Sequence, residues 1–182
     1  MIRRLALAAL MPALLPLAAP AGAQAVSALK NHNSDGPVDV EADRIEVQDR
    51  SDRALFSGNV RVKQGNLNLA AQRLTVAYAN ASGGNPQIQR LDASGGVVVQ
   101  SPSETATGNI AIYDLNRRLI TMLGNVVLTR GANQVKGGRL VMDLNSGRAT
   151  VDGSAVAGGG TGVSSGRGGR VTGRFTVAPR SN

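Results

Sequence analysis

Side chains able to do chemistry are sparse in this 182-residue chain, and they do not converge. The sole histidine, His32, lies in a polar, turn-rich stretch, residues 26–37, where a solvated loop position is expected. Cysteine is absent, so the chain has no thiolate nucleophile, no disulfide and no soft metal ligand. Asp39, Glu41 and Asp43 alternate, so a strand would point all three to one face, an arrangement that suits a Ca²⁺ site or an acid/base pair. No EF-hand-like glycine and carbonyl pattern accompanies them, and acids are common at exposed strand starts. There is no Gly-x-x-x-x-Gly-Lys-Ser/Thr phosphate loop and no His/Cys/carboxylate spacing for a transition metal. The expectation is a chain with no catalytic residue, no cofactor and no metal, and hence not an enzyme.

What positions these residues is a β scaffold behind an export signal. Arg3 and Arg4, an apolar run from Leu5 to Leu17 and Ala21-Gly22-Ala23 read as a cleavable leader over residues 1–25, cut after Ala23 or Ala25. The run is short for a membrane span and is interrupted by Pro12, Pro16 and Pro20. A flexible entry segment is expected over 26–37, a single folded domain over 38–153, and a Gly/Ser/Arg-rich basic tail over 154–182 that is mostly disordered. Within that tail, Arg170 to Val177 regains alternation and is a candidate for one more docked strand.

The net charge of +8 invites a nucleic-acid reading, which the location of the charges weakens. Of the 20 Lys and Arg, two lie in the leader and four in the tail; the remaining 14 share the middle of the chain with all 12 acids, leaving a net charge of +2 there. The signs are mixed along the chain, as on a solvated face, and only Phe56, Tyr78, Tyr113 and Phe175 are able to stack on a base. No nucleic-acid partner is expected, although polyanion binding by the tail is a rival reading.

Gly58-Asn59-Val60 with Arg73-Leu74 recurs 66 positions later as Gly124-Asn125-Val126 with Arg139-Leu140. Around each copy aliphatics alternate with polar residues, as in Val60-Arg61-Val62-Lys63 and Leu67-Asn68-Leu69, so a strand would gather most aliphatics on one face. Turn formers separate about fifteen short strand candidates between residues 38 and 152, among them 53–57, 59–64, 66–70, 73–79, 117–122 and 125–130. Each Gly-Asn pair tolerates positive φ, and the reading is that a strand begins there after a tight turn. The class is all-β; from the residues alone a sandwich, a closed barrel, a solenoid and a jelly roll all remain open.

Several segments in order, Pro37-Val38-Asp39-Val40-Glu41-Ala42-Asp43, Phe56-Ser57-Gly58-Asn59-Val60-Arg61-Val62-Lys63-Gln64-Gly65, Leu69 to Val76, Tyr113-Asp114-Leu115, Leu123 to Leu128, Gly138 to Leu144 and Gly147 to Val151, resemble the OstA-like family. The resemblance runs from about Pro37 to Gly153 and excludes the tail. It implies a single β-jelly roll of about 15–16 short antiparallel strands, open at both ends, whose interior holds the acyl chains of lipopolysaccharide or a related glycolipid. It further implies a periplasmic location and head-to-tail self-association through edge strands. An inner-membrane anchored OstA-like partner and the periplasmic domain of an outer-membrane translocon would complete a bridge.

Alternation and resemblance meet on one wall. The expected lipid-binding face comprises Val38, Val40, Val60, Val62, Leu67, Leu69, Leu74, Val76, Leu91, Val97, Val99, Ile110, Ile112, Val126, Leu128, Leu140 and Met142. Tyr113 and Leu115 join it through the resemblance only, because their parity opposes that of Ile110 and Ile112 unless a bulge intervenes. The rival from another class is a structural or adhesive exported β-repeat protein without lipid cargo.

Overall fold

The computed structural model describes Leu29 and residues 32–80, 86–153 and 170–176. The expected leader, the Ser82–Asn85 turn and the Gly-rich part of the tail lie outside the described residues.

Ten strands are found among the described residues: β1 (Asp39–Glu41), β2 (Arg44–Gln48), β3 (Arg53–Gln64), β4 (Leu67–Asn80), β5 (Pro86–Gln100), β6 (Glu104–Asp114), β7 (Leu119–Arg130), β8 (Asn133–Asp143), β9 (Arg148–Asp152) and β10 (Thr172–Arg174). A 3₁₀ turn at Asp49–Ser51 joins β2 to β3. All pairings are antiparallel within one open sheet, which has a central order β3-β4-β5-β6-β7-β8. The short segments expected from the sequence join in pairs: 53–57 and 59–64 are the two halves of β3, and 117–122 and 125–130 fall in β7.

Bends join these halves. Gly58-Asn59 in β3 and Gly124-Asn125 in β7 do not precede strands, as the sequence reading had it, but lie inside them with both residues at positive φ. Gly95-Gly96 does the same in β5. Opposite each pair, the even-numbered neighbour skips one residue fewer, so the register slips at Ser57/Val60, Ala70/Arg73, Ser94/Val97, Thr107/Ile110 and Leu123/Val126. These bulges, each with one extra residue on the odd-numbered strand, line up across the sheet as a seam, and each adds local bend and twist. Glycine is needed there for space as well as for φ: a Cβ at Gly124 would sit 2.6 Å from Asn109 Nδ2, and one at Gly58 would run into the Asp43 carboxylate.

Folding along the seam gives two facing layers. The first holds β2, β9 and residues 53–57, 73–80, 86–94, 110–114, 119–123 and 139–143. The second holds β1, β10 and residues 60–64, 67–71, 97–100, 104–107, 126–130 and 133–137. One apolar core lies between them, from Leu74, Leu91, Ile120 and Leu140 on one side to Val62, Leu69, Val99 and Leu128 on the other. Ala71, Ala93 and Ala111 flank the seam together with Val60, Val97 and Val126, all buried.

Candidate functional site

The space between the layers is where the alternation predicted an apolar wall. Val60, Val62, Leu67, Leu69, Leu74, Val76, Leu91, Val97, Val99, Val126, Leu128, Leu140 and Met142 are all buried there. Val38, Val40 and Leu115 are partly buried against the same core. Tyr113 is inside as well, at 1% exposure.

Ile110 and Ile112 are corrections. Ile110 is 41% exposed on the outer face, and Ile112, half-buried, is outside the core. The cause is the bulge in β6, where the inward positions step from Ala106 and Gly108 to Ala111 and Tyr113 and so change parity. Tyr113, of the opposite parity, faces inward. The sequence reading also missed Ile120, Met122, Ala111 and Leu144 in the core. Ile120 and Met122 were within reach, since the two extra residues Gly124-Asn125 preserve parity, and counting back from Val126 by four and then two reaches both.

Where the two layers diverge, a strap formed by Leu29 and residues 32–38 closes the gap. Leu29 is 1% exposed and belongs to the core. His32, expected to be a solvated loop residue, is 7% exposed. Its Nε2 donates to Gln64 Oε1 at 3.0 Å, and its Nδ1 lies 3.1 Å from the Asn66 amide. Gln64, at the end of β3, is the hub. Its Nε2 donates to the carbonyls of Ser34 at 3.0 Å and Gly36 at 2.9 Å, and its Oε1 also accepts from the Tyr113 hydroxyl of the opposite layer at 2.9 Å. Both donors and both lone pairs of the amide are therefore engaged, which is what burial of the group requires. Burial pushes the Tyr113 phenol above its ordinary value, so it stays protonated and remains a donor. Arg118, in the β6–β7 turn, completes the strap with a 2.8 Å ion pair to Asp35. A solvated reading failed because the polar partners of His32 lie 32 and 34 residues away.

Asp39, Glu41 and Asp43 do not form a constellation. Asp39 and Glu41 are exposed on β1, whereas Asp43 accepts from Asn59 Nδ2 at 2.8 Å and its backbone N–H bonds Gly58 O at 2.9 Å. The Asp43 carboxylate therefore clamps the first bend.

Around Tyr113 the space between the layers is filled. Between Val62, Gln64, Leu67, Leu69, Leu91 and Tyr113 there is a cavity of about 10 Å³, barely the size of one water. The open slot expected from the sequence is thus closed here. At the β1/β2 end, however, the apolar face runs out uncovered: Ile45 and Val47 pair with Phe56 and Ala54 on the inward side and stand 58% and 57% exposed. No helix among the described residues is long and apolar enough to cross a membrane.

Comparison with known proteins agrees with this architecture. The LptH protein of Pseudomonas aeruginosa, described as the LptA-homologous periplasmic component of the lipopolysaccharide transport device, superposes with a TM-score of 0.65. It is 19% identical, and the match covers 80% of this chain and 99% of that one; at this identity the likeness establishes the fold. An uncharacterized protein of Rhizobium meliloti (strain 1021) is 35% identical over 125 residues, 66% of this chain and 67% of that one. Residues 39–148 match the model of the LptA/(LptD N-terminal domain) lipopolysaccharide transport proteins. With the bent antiparallel sheet and its apolar interlayer core in place, the chain belongs to this OstA-like family of lipopolysaccharide transport proteins.

Proposed function

We propose that the protein is a periplasmic carrier that shelters the acyl chains of lipopolysaccharide, or a related glycolipid, between its two layers. In this reading it hands them from an inner-membrane anchored OstA-like partner to the periplasmic domain of an outer-membrane translocon. The observation that carries the reading is the continuous apolar inner face that ends uncovered at Ile45 and Val47. Exposed acyl chains cost roughly 0.8 kcal/mol per methylene, so several chains of a dozen carbons each cost on the order of tens of kcal/mol in water. An apolar interior removes most of that cost, while the outward residues of the same strands keep the carrier in water. Because the core around Tyr113 is closed, loading requires the layers to part there. They are covalently continuous at the seam, and across the opposite mouth the polar contacts of the strap join them. Transport along such a path is passive, and the driving energy comes from an ATPase elsewhere.

A photo-crosslinking residue at Val62 or Leu128 should capture lipopolysaccharide in cells, and one at Arg61 on the outer face should not. Capture from Arg61 alone refutes the assigned face. The closed core around Tyr113 favours one rival, a structural β-module without cargo. A lipid extract of protein purified from its own periplasm without detergent separates the two, since the rival predicts no bound glycolipid.

A further inference from the structure

The two rims of the sheet are built alike. At one, the edge of β3 carries β1 on the second layer and β2 on the first; at the other, β8 carries β10 on the second layer and β9 on the first. Yet β9 and β10 are attached very differently. β9 follows β8 through a tight turn and packs Ala149 and Val151 on the core. β10 returns from the distant tail, and every described residue of that segment, Arg170 to Thr176, is exposed. Its hold on β8 is the three-residue ladder Thr172–Lys136, Gly173–Val135 and Arg174–Gln134, together with the Thr176 N–H donating to Asn133 Oδ1 at 2.9 Å. A three-residue strand that adds no side chain to the core detaches far more readily than the core strand it covers.

We propose that β10 is a removable cap on a strand-acceptor edge, residues 133–137 of β8, whose competing occupant is the β1 edge of a second copy of this chain. This rests on the carrier reading above, since it concerns how carriers join. An uncovered β edge is a template for strand addition, and one occupant excludes the other. Charge favours the second copy. The cap places Arg174 on the same short ladder as Lys136, whereas β1 brings Asp39 and Glu41, both exposed. The acidic strand and the acceptor both lie on the second layer, so an incoming β1 extends that layer and continues its inner face from one copy into the next.

Because the chain contains no cysteine, the cap can be locked by one engineered pair, Gln134→Cys with Arg174→Cys, at directly opposed positions. Sedimentation across a concentration series compares the full-length chain, the oxidised pair, the same pair reduced, and a chain lacking residues 154–182. The oxidised pair should remain monomeric, and reduction should restore association. Removing the tail should lower the concentration needed for association by about tenfold or more, the factor by which the cap depletes the competent state. Asp39→Lys with Glu41→Lys should abolish association of the tail-deleted chain.

Equal association of locked and reduced forms, weaker association without the tail, or no association of any form overturns the cap. Lipid A binding by the same samples tests the carrier reading separately. The locked monomer should still bind, and loss of binding in every form sinks the carrier reading whatever the association series shows.

Discussion

The seam and the strap join the same two layers by opposite means. At the seam six strands pass from layer to layer, and positive-φ residues in three of them set the bend. At the strap the layers are held by one buried amide, a histidine, a phenol and an exposed ion pair. The first is backbone geometry, which a local fluctuation does not undo. The second is a short set of side-chain hydrogen bonds, each contributing about 1 kcal/mol net, beside the buried Leu29, and breaking it leaves every strand ladder paired. For the proposed carrier, whose core is closed around Tyr113, the rigid and the releasable joint lie on opposite sides.

Substitutions at the two joints test this contrast. The largest effect is expected at the seam. Gly124→Val must place a β-branched side chain at φ +77°, against Asn109, and should cost about 3 kcal/mol or more of global stability in urea unfolding. A loss under about 1 kcal/mol would mean that the seam is not the rigid element. Gln64→Leu comes next. It strands the Ser34 and Gly36 carbonyls, the Tyr113 hydroxyl and His32 Nε2, a cost of about 2 kcal/mol. Hydrogen exchange should then quicken over residues 32–38 while β5 and β7 stay protected; uniform acceleration would erase the distinction between the joints.

Tyr113→Phe removes one donor and leaves Gln64 Oε1 its bond from His32, so about 1 kcal/mol is expected. The same phenol gives the strap an alkaline limit. Because its folded value lies above the ordinary 10.0, its contribution is fully present below pH 10.0 and is lost as pH rises through the raised value. The wild-type chain should therefore lose stability in that window, and Tyr113→Phe should flatten the loss; an identical alkaline profile for both would remove Tyr113 from the account. The smallest effect is expected for Arg118→Ala, whose ion pair with Asp35 is well exposed: under about 0.5 kcal/mol in the same unfolding assay.

Much of the inner wall was legible because side-chain parity is a local property of a strand. Val60 and Val62, or Leu67 and Leu69, need only their own alternation to be placed on one face. Ile110 and Ile112 were misplaced because the register slips at Thr107/Ile110, where Gly108-Asn109 repeats the pair of β3 and β7 but takes no positive φ. A third bend, Gly95-Gly96-Val97, escaped notice because glycine replaces asparagine and its distances to the other two copies are unequal. The polar joint was less accessible still. His32, Gln64 and Tyr113 are each unremarkable in the sequence, and only their meeting makes a buried network.

By itself, the amino-acid sequence determined the all-β class, the apolar face of most strands, the family and the residues able to turn with positive φ, since each depends on neighbours a few positions apart. Tertiary structure alone decided that the Gly-Asn pairs are bends within strands, that a polar strap closes the mouth, that the core around Tyr113 is closed and that the tail occupies the last edge. Those outcomes are set by contacts between segments tens of residues apart, whose pairing depends on the shape of the whole sheet.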